Sequence, residues 1–219
     1  FQREVGFCDG DWYMWLDADE FLNVHVGDGS LTALIDAMGD KQIALINWRI
    51  FGSSGQQEFP GRFVDPVFSK AAEPSFERNR ALKTLFRYSK AIAGFARWGA
   101  HRPLIAKGTP LQFEDVLVGS GGTALASEKI HRRWLNGKDT EFTNQVSKAE
   151  AGWALAQINH YIVRTADHYA LKRLRGRSNR PKPGVTVGER YTEQFFIDHD
   201  RNEAEDRSIL RWQDAVTDG

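Results

Sequence analysis

The chain has 219 residues, of which 41% are hydrophobic and 26% charged, a composition typical of globular proteins and unlike that of disordered or collagen-like chains. Its 29 Lys and Arg balance its 29 Asp and Glu, and a net charge of zero argues against general binding to nucleic acid. The single cysteine, Cys8, excludes an internal disulfide and a zinc site built from several cysteines. No apolar run approaches the roughly 20 residues that cross a bilayer.

An α/β pattern occupies the first fifty residues. The apolar and aromatic run at 12–16 lies between acidic residues and predicts a buried strand. Ser30 is a typical N-cap and Gly39 a typical helix stop, so we expect a helix over 31–38. A second apolar run at 43–50 predicts another buried strand, and this succession indicates a parallel α/β unit. Because no Met begins the chain and a strand follows almost at once, we expect an upstream segment to be missing.

The rest of the chain alternates loops, strands and helices. A loop at 51–55 follows the second strand, where α/β proteins often bind ligands. Predicted strands cover 82–88 and 104–106, and predicted helices cover 128–135, 143–157, 166–175 and 203–216. Polar residues at 73–80, glycines at 119–122 and prolines at 180–184 predict connecting segments.

Two acidic residues, Asp17 and Asp19, follow the first predicted strand. In an extended segment residues two apart point the same way, so their carboxylates could converge. Such hard oxygen ligands suit Mn²⁺ or Mg²⁺, with substrate phosphates completing the coordination. The alternative is a structural turn in which the Asp side chains accept hydrogen bonds from nearby backbone N–H groups.

Several longer motifs resemble the bacterial family-2-like glycosyltransferases, which are related to glycosyltransferase family 92. In chain order these motifs are WLDADEFL at 15–22, NWRIFGSSG at 47–55, ALKTLFR at 81–87, HRP at 101–103 and INHY at 158–161. With the helix at 166–175 they cover about residues 12–177.

The resemblance implies a GT-A-like α/β fold, with a mixed, mostly parallel sheet flanked by helices and a helical C-terminal part. Residues 1–180 would form the glycosyltransferase domain without much of its N-terminal nucleotide-binding half, and 181–219 a linker and helix packed on it. The implied activity is transfer of a hexose from a nucleotide-diphosphate sugar to a saccharide or lipid-linked saccharide acceptor. Family analogy points to surface-polysaccharide synthesis in the cytoplasm, at the inner face of the membrane.

The resemblance also implies a metal site. Asp17 and Asp19 would hold Mn²⁺ or Mg²⁺, which stabilises the charge of the leaving diphosphate. Glu20 would orient the loop or contact the metal through water. His101 would complete the metal coordination, with His160 as the other candidate, since imidazole is an acceptable ligand for Mn²⁺.

An inverting transferase also needs a carboxylate base. Relatives carry a Glu after the loop that matches 51–55, whereas this chain has VDPVF at 64–68. Asp65 or Glu77 could serve instead, and Glu58, Glu114 and Asp115 remain alternatives. Each of them has an alternative interpretation as a solvated surface carboxylate.

Other residues are candidates for binding substrate. Lys83 and Arg87 could contact the diphosphate, because their cationic side chains suit phosphate. The other candidates are Gly52, Ser53 and Ser54 in the loop, Trp48 for stacking on a sugar ring, and Asn159 with His160 for the acceptor or the diphosphate. The basic segment 171–184 has no acidic residue and is interpreted mainly as a solvated helix face, which leaves peripheral contact with a membrane open.

Two other functions compete with the transferase. One is a non-catalytic glycan-binding or scaffold remnant of a transferase. The other is a phosphohydrolase that uses the same Asp pair with a divalent metal.

Overall fold

The structure is a computed structural model that describes residues 6–59, 67–96, 99–105, 116–118, 145–175 and 191–212. The chain divides into two compact units. The first unit contains Phe1–Trp48 and Glu77–Ile158, and the second contains Arg49–Phe76 and Asn159–Gly219. The boundary predicted between residues 180 and 181 lies outside the described residues, as do the predicted segments at 119–122, 128–135 and 180–184.

The architecture is α/β with a mixed sheet. The strands are β1 (Trp12–Met14), β2 (Glu20–Val24), β3 (Ile43–Ile50), β4 (Lys70–Ala71), β5 (Leu82–Arg87), β6 (Ile92–Ala96), β7 (Gly99–Ile105), β8 (Val116–Val118), β9 (Ala156–His160) and β10 (Ala204–Glu205). The helices are α1 (Leu31–Met38), α2 (Ala166–Arg175) and α3 (Glu193–His199), with short 3₁₀ helices at Glu77–Arg80 and Ser208–Trp212.

The main sheet has six strands in the order β1-β5-β3-β9-β2, with β8 paired to β3. Strand β5 runs antiparallel to both of its neighbours, β1 and β3, whereas β8 runs parallel to β3. The mostly parallel arrangement expected from the sequence therefore does not hold around β5. Two further pairs, β4 with β10 and β6 with β7, form antiparallel ribbons.

Local chemistry explains the elements that were predicted well. Helix α1 spans the predicted 31–38, because the Ser30 hydroxyl accepts the N–H of Ala33 at 3.1 Å and Gly39 adopts a φ of 60°. Leu34 and Met38 on its inner face are buried in the core of the first unit. The remaining buried members of that core are Val24, Ala44, Ile46, Leu85, Ala156 and Ile158.

Two of the predicted helices are wrong, and one helix was not predicted. The predicted helix at 143–157 is not formed in residues 145–157, and Ala156 and Gln157 begin β9. All five residues of β9 are buried, so pairing within the sheet overrides the helical propensity of the Ala-rich segment. Within 203–212 the predicted terminal helix is replaced by β10 and a 3₁₀ helix, since residues 204–205 pair with β4. Helix α3 was not predicted.

Among the described helices, α2 is the longest with 10 residues. None of them has the length and apolar character that crossing a membrane requires.

Candidate functional site

The two predicted metal ligands Asp17 and Asp19 lie in a tight turn, not in an extended strand. The Glu20 N–H donates to the Asp17 carbonyl at 3.0 Å, and the Asp17 N–H donates to Glu20 Oε2 at 2.8 Å. Asp19 therefore occupies a central position of the turn, and the alignment expected for residues two apart in a strand is wrong. The Glu20 carboxylate therefore orients this segment by accepting the Asp17 N–H.

Lys83 of β5 supplies the cation for this turn. Its side chain is fully buried, and its Nζ lies 2.9 Å from Asp17 Oδ2 and 2.9 Å from Glu20 Oε2. A buried ammonium needs such partners because the interior cannot solvate its charge. The residue proposed to contact a diphosphate thus forms ion pairs with two carboxylates of its own chain.

The two carboxylates differ in their surroundings. The Glu20 side chain is fully buried, and burial raises the pKa of Glu20 above its ordinary 4.5, although Lys83 and the Asp17 N–H oppose that rise. The side chain of Asp17 is 57% exposed. Only its Oδ2 is bonded to the described part of the chain, which leaves Oδ1 open to solvent or to a ligand.

His101 of β7 lies beside these residues. Its Nδ1 donates to the Leu82 carbonyl at 2.8 Å, because a carbonyl oxygen can only accept, so in the neutral ring the lone pair is on Nε2. Burial is the main cause that lowers the pKa of His101, and the charge of Lys83 lowers it further. The Leu82 bond and the charge of Asp17 oppose that shift. The imidazole is therefore neutral at neutral pH.

We call Asp17, Glu20, Lys83 and His101 the Lys83 cluster. The ring of Trp48 meets the His101 ring edge-on, with centroids 5.8 Å apart, and it also packs against the core of the first unit. Four residues singled out from distant parts of the sequence, Asp17, Trp48, Lys83 and His101, thus come together in the first unit.

The cluster supplies few ligands for a cation. Across the described ranges, no three His, Cys, Asp or Glu side chains are arranged to hold a metal ion. Mg²⁺ in proteins commonly binds through one or two carboxylates, with substrate phosphates and water as its other ligands. The exposed Oδ1 of Asp17 fits that pattern as a single carboxylate ligand.

The loop at 52–55 lies in the second unit, where Asp200 and Asn202 accept hydrogen bonds from its N–H and O–H groups. Asp200 accepts the Ser53 N–H at 2.5 Å and the Ser53 hydroxyl at 3.1 Å. Asn202 accepts the Ser54 N–H at 2.8 Å. A Cβ on Gly52 would lie 2.5 Å from Asn202 Oδ1, so only glycine fits here. These groups, predicted to bind substrate, hold two segments of the second unit together.

Two other predicted substrate ligands, Asn159 and His160, are buried in β9. The Asn159 amide donates to the Tyr161 hydroxyl at 3.2 Å, and the His160 carbonyl accepts the Phe51 N–H at 3.0 Å. Arg87 is exposed, and its Nε donates to the Gly10 carbonyl at 3.0 Å. These contacts do not include a member of the Lys83 cluster.

The two candidate bases that the structure describes, Glu77 and Glu58, are not part of the cluster either. The Glu77 side chain is 74% exposed and pairs with Arg80 at 2.5 Å, without a bond to Asp17, Lys83 or His101. Glu58 is exposed as well. Asp65, Glu114 and Asp115 lie outside the described residues.

Sequence reasoning missed Asp200 and Asn202, and it gave Lys83 a different partner. A signal for Lys83 was present, because a lysine inside the apolar run ALKTLF predicts a buried strand that carries an unpaired charge. Such a lysine requires an acidic partner from elsewhere in the chain. Asp200 is the C-cap residue of α3. Because α3 was not predicted, the role of Asp200 was not recognised.

Comparison of the chain with protein-family models, with curated proteins and with solved structures finds no match.

Proposed function

We propose that this chain is a glycosyltransferase that uses a divalent metal to move a hexose from a nucleotide-diphosphate sugar to a saccharide acceptor. The motifs that resemble the family-2-like glycosyltransferases motivate the proposal, and the GT-A fold belongs to it. The described architecture, α/β with a mixed sheet, is compatible with that fold.

One observation carries the proposal. Asp17, Lys83 and His101 come from three separate motifs of that resemblance; Lys83 binds Asp17 directly, and His101 donates to the carbonyl of Leu82, next to Lys83. A purely structural role would explain the buried pair of Lys83 with Glu20. It would not require a half-exposed carboxylate with an open oxygen, nor a neutral imidazole, at the same place.

The residues of the cluster then have distinct roles. Asp17, with Asp19 and His101 as further candidates, would bind Mn²⁺ or Mg²⁺ together with the phosphates of the donor, because these three described side chains do not form a metal site by themselves. The metal would neutralise the charge of the departing diphosphate. Glu20 holds the turn in shape through the Asp17 N–H, and Lys83 holds the Asp17 carboxylate through Oδ2. Because Lys83 is fully buried between two carboxylates, it acts on the substrate through Asp17 rather than by direct contact.

Calorimetry with UDP and with GDP, in the presence and absence of Mn²⁺, tests the proposal. We expect a nucleotide to bind only with Mn²⁺, and Asp17→Asn to abolish that binding. Asp36→Asn is the matched control, because this exposed aspartate lies on α1 and its side chain forms no bond with the described residues. Mn²⁺ alone should bind weakly, since the cluster supplies few ligands without phosphates.

Other outcomes would contradict the proposal. Sugar binding that is unaffected by Asp17→Asn would favour a glycan-binding remnant. Release of inorganic phosphate from simple phosphomonoesters, without sugar transfer, would favour a phosphohydrolase. Failure of both nucleotides to bind this chain, and a chain extended upstream, would refute the transferase.

A further inference from the structure

Helix α2 of the second unit is attached to its neighbours by one face. Tyr169 is 4% exposed, and its hydroxyl donates to the Thr192 carbonyl at 2.8 Å. Lys172 Nζ donates to the Ile162 carbonyl at 2.8 Å and lies 5.4 Å from the centre of the Tyr191 ring. At 100° per residue these two anchoring side chains lie within about 60° of each other on the helix.

The opposite face of α2 is apolar and exposed. Leu171 is 62% exposed and Leu174 is 76% exposed, which makes them the two most exposed large apolar side chains in the described parts of the chain. Their spacing of three residues puts them side by side, about 170° from Tyr169. Single exposed leucines are common on protein surfaces, so this pair needs a second feature before it indicates a partner.

That second feature is charge. Residues 168–188 contain six Lys and Arg and no Asp or Glu, although the whole chain has a formal net charge of zero. Arg173, next to the leucines, is exposed. The acidic residue of the same face, Asp167, lies a turn away and is occupied by the Phe59 N–H at 3.1 Å and by the Thr165 hydroxyl. The leucines therefore lie within a strongly basic stretch of the sequence.

We propose that α2 docks on a membrane surface with anionic headgroups, with Leu171 and Leu174 inserted at the boundary of headgroups and acyl chains. An amphipathic helix with exposed leucines and flanking cations is the sequence signature of interfacial binding. Each cation near an anionic leaflet adds attraction, and salt screens it. RNA fits this surface less well, because the side chains on the exposed face are leucines, which do not stack on bases as aromatic rings do. The inference does not depend on the proposed transferase activity.

Sedimentation of the full chain with vesicles tests the inference. One set of vesicles contains phosphatidylcholine alone, and the other contains phosphatidylcholine with phosphatidylglycerol. We expect binding to the second set only, and weaker binding as salt is raised. Arg173→Gln should weaken it about fivefold, and Leu171→Gln with Leu174→Gln should weaken it by about tenfold or more.

Leu31→Gln is the matched control, because this leucine is 44% exposed on a helix of the first unit and should not affect vesicle binding. Circular dichroism checks that each variant keeps its fold. The inference is overturned if the chain does not bind the anionic vesicles, or if the double leucine variant binds them as well as the original chain. Binding to an RNA homopolymer without vesicle binding would overturn it too, as would self-association through the leucines without vesicle binding.

Discussion

Replacing Lys83 with methionine removes the charge of the Lys83 cluster while keeping a long side chain in place. Glu20, whose side chain is fully buried, then loses the ammonium that lies 2.9 Å from its Oε2. Breaking a buried ion pair by removing one partner costs about 3–5 kcal/mol, because the remaining charge stays unsolvated. Asp17 loses the same partner, but its 57% exposed side chain is solvated and adds little. We therefore expect Lys83→Met to lower the free energy of unfolding by about 3–5 kcal/mol at neutral pH.

The same change should make stability depend on pH. Burial already raises the pKa of Glu20 above 4.5, and the loss of Lys83 removes the largest cause that opposes this rise. A carboxyl with a raised pKa in the folded state stabilises the fold fully below its unfolded pKa, and that contribution is lost as pH rises through the folded pKa. The cost of Lys83→Met should therefore be small below the ordinary pKa of a glutamate and should grow towards neutral pH.

Denaturation by urea, at acidic and at neutral pH, measures both effects. The double variant Lys83→Met with Glu20→Gln removes the buried charge, while the amide oxygen of the new side chain can still accept the Asp17 N–H, so most of the lost stability should return. Lys90→Met, at an exposed position, should change stability by less than about 0.5 kcal/mol. The reasoning is refuted if Lys83→Met costs the same at both pH values, or if the double variant is no more stable than the single one.

Three further predictions concern other parts of the chain. Gly52→Ala should cost about 3 kcal/mol in urea denaturation, because its Cβ would overlap the Arg201 carbonyl oxygen, whereas Gly55→Ala in the same loop meets no atom and should cost only about 1 kcal/mol for its positive φ. Ser30→Ala should lower the free energy of unfolding by about 1 kcal/mol through loss of the N-cap, and an equal stability would contradict that role. NMR titration should give His101 a pKa below 6.5 and an Nδ1–H tautomer, and a pKa above 6.5 would contradict its buried setting.

The parts of the fold that were predicted well are those that local chemistry determines. Helix α1 follows from Ser30 and Gly39, which lie within a few residues of its ends. Strand β3 follows from a continuous apolar run, and the structure gives it the predicted bounds. Strand β9 could not be predicted in this way, because the segment before it favours a helix and only its burial in the sheet makes it extended.

The candidate site was predicted in part for the same reason. Asp17 and His101 were found from the types of side chain that metals and phosphates require. The partner of Lys83 was not found, because Asp17 is 66 residues away in the sequence and pairing over such a distance leaves no local pattern. The donors of Ser53 were assigned to substrate because Asp200, which occupies them, lies 147 residues further along.

The carboxylate that shares Lys83 with Asp17 is that of Glu20, three residues further along, and not that of Asp19. Across the turn, Asp17 and Glu20 both reach the ammonium of Lys83, and two carboxylates with one ammonium leave one excess negative charge when all are ionised. Of these two carboxylates only Asp17 is exposed, so this excess can meet a ligand through Asp17 and not through Glu20. A site with so little net charge attracts a divalent cation weakly, and a diphosphate adds the missing charge and oxygen ligands. The metal and the nucleotide should therefore bind cooperatively, and Mn²⁺ affinity measured with and without nucleotide should differ by about tenfold or more.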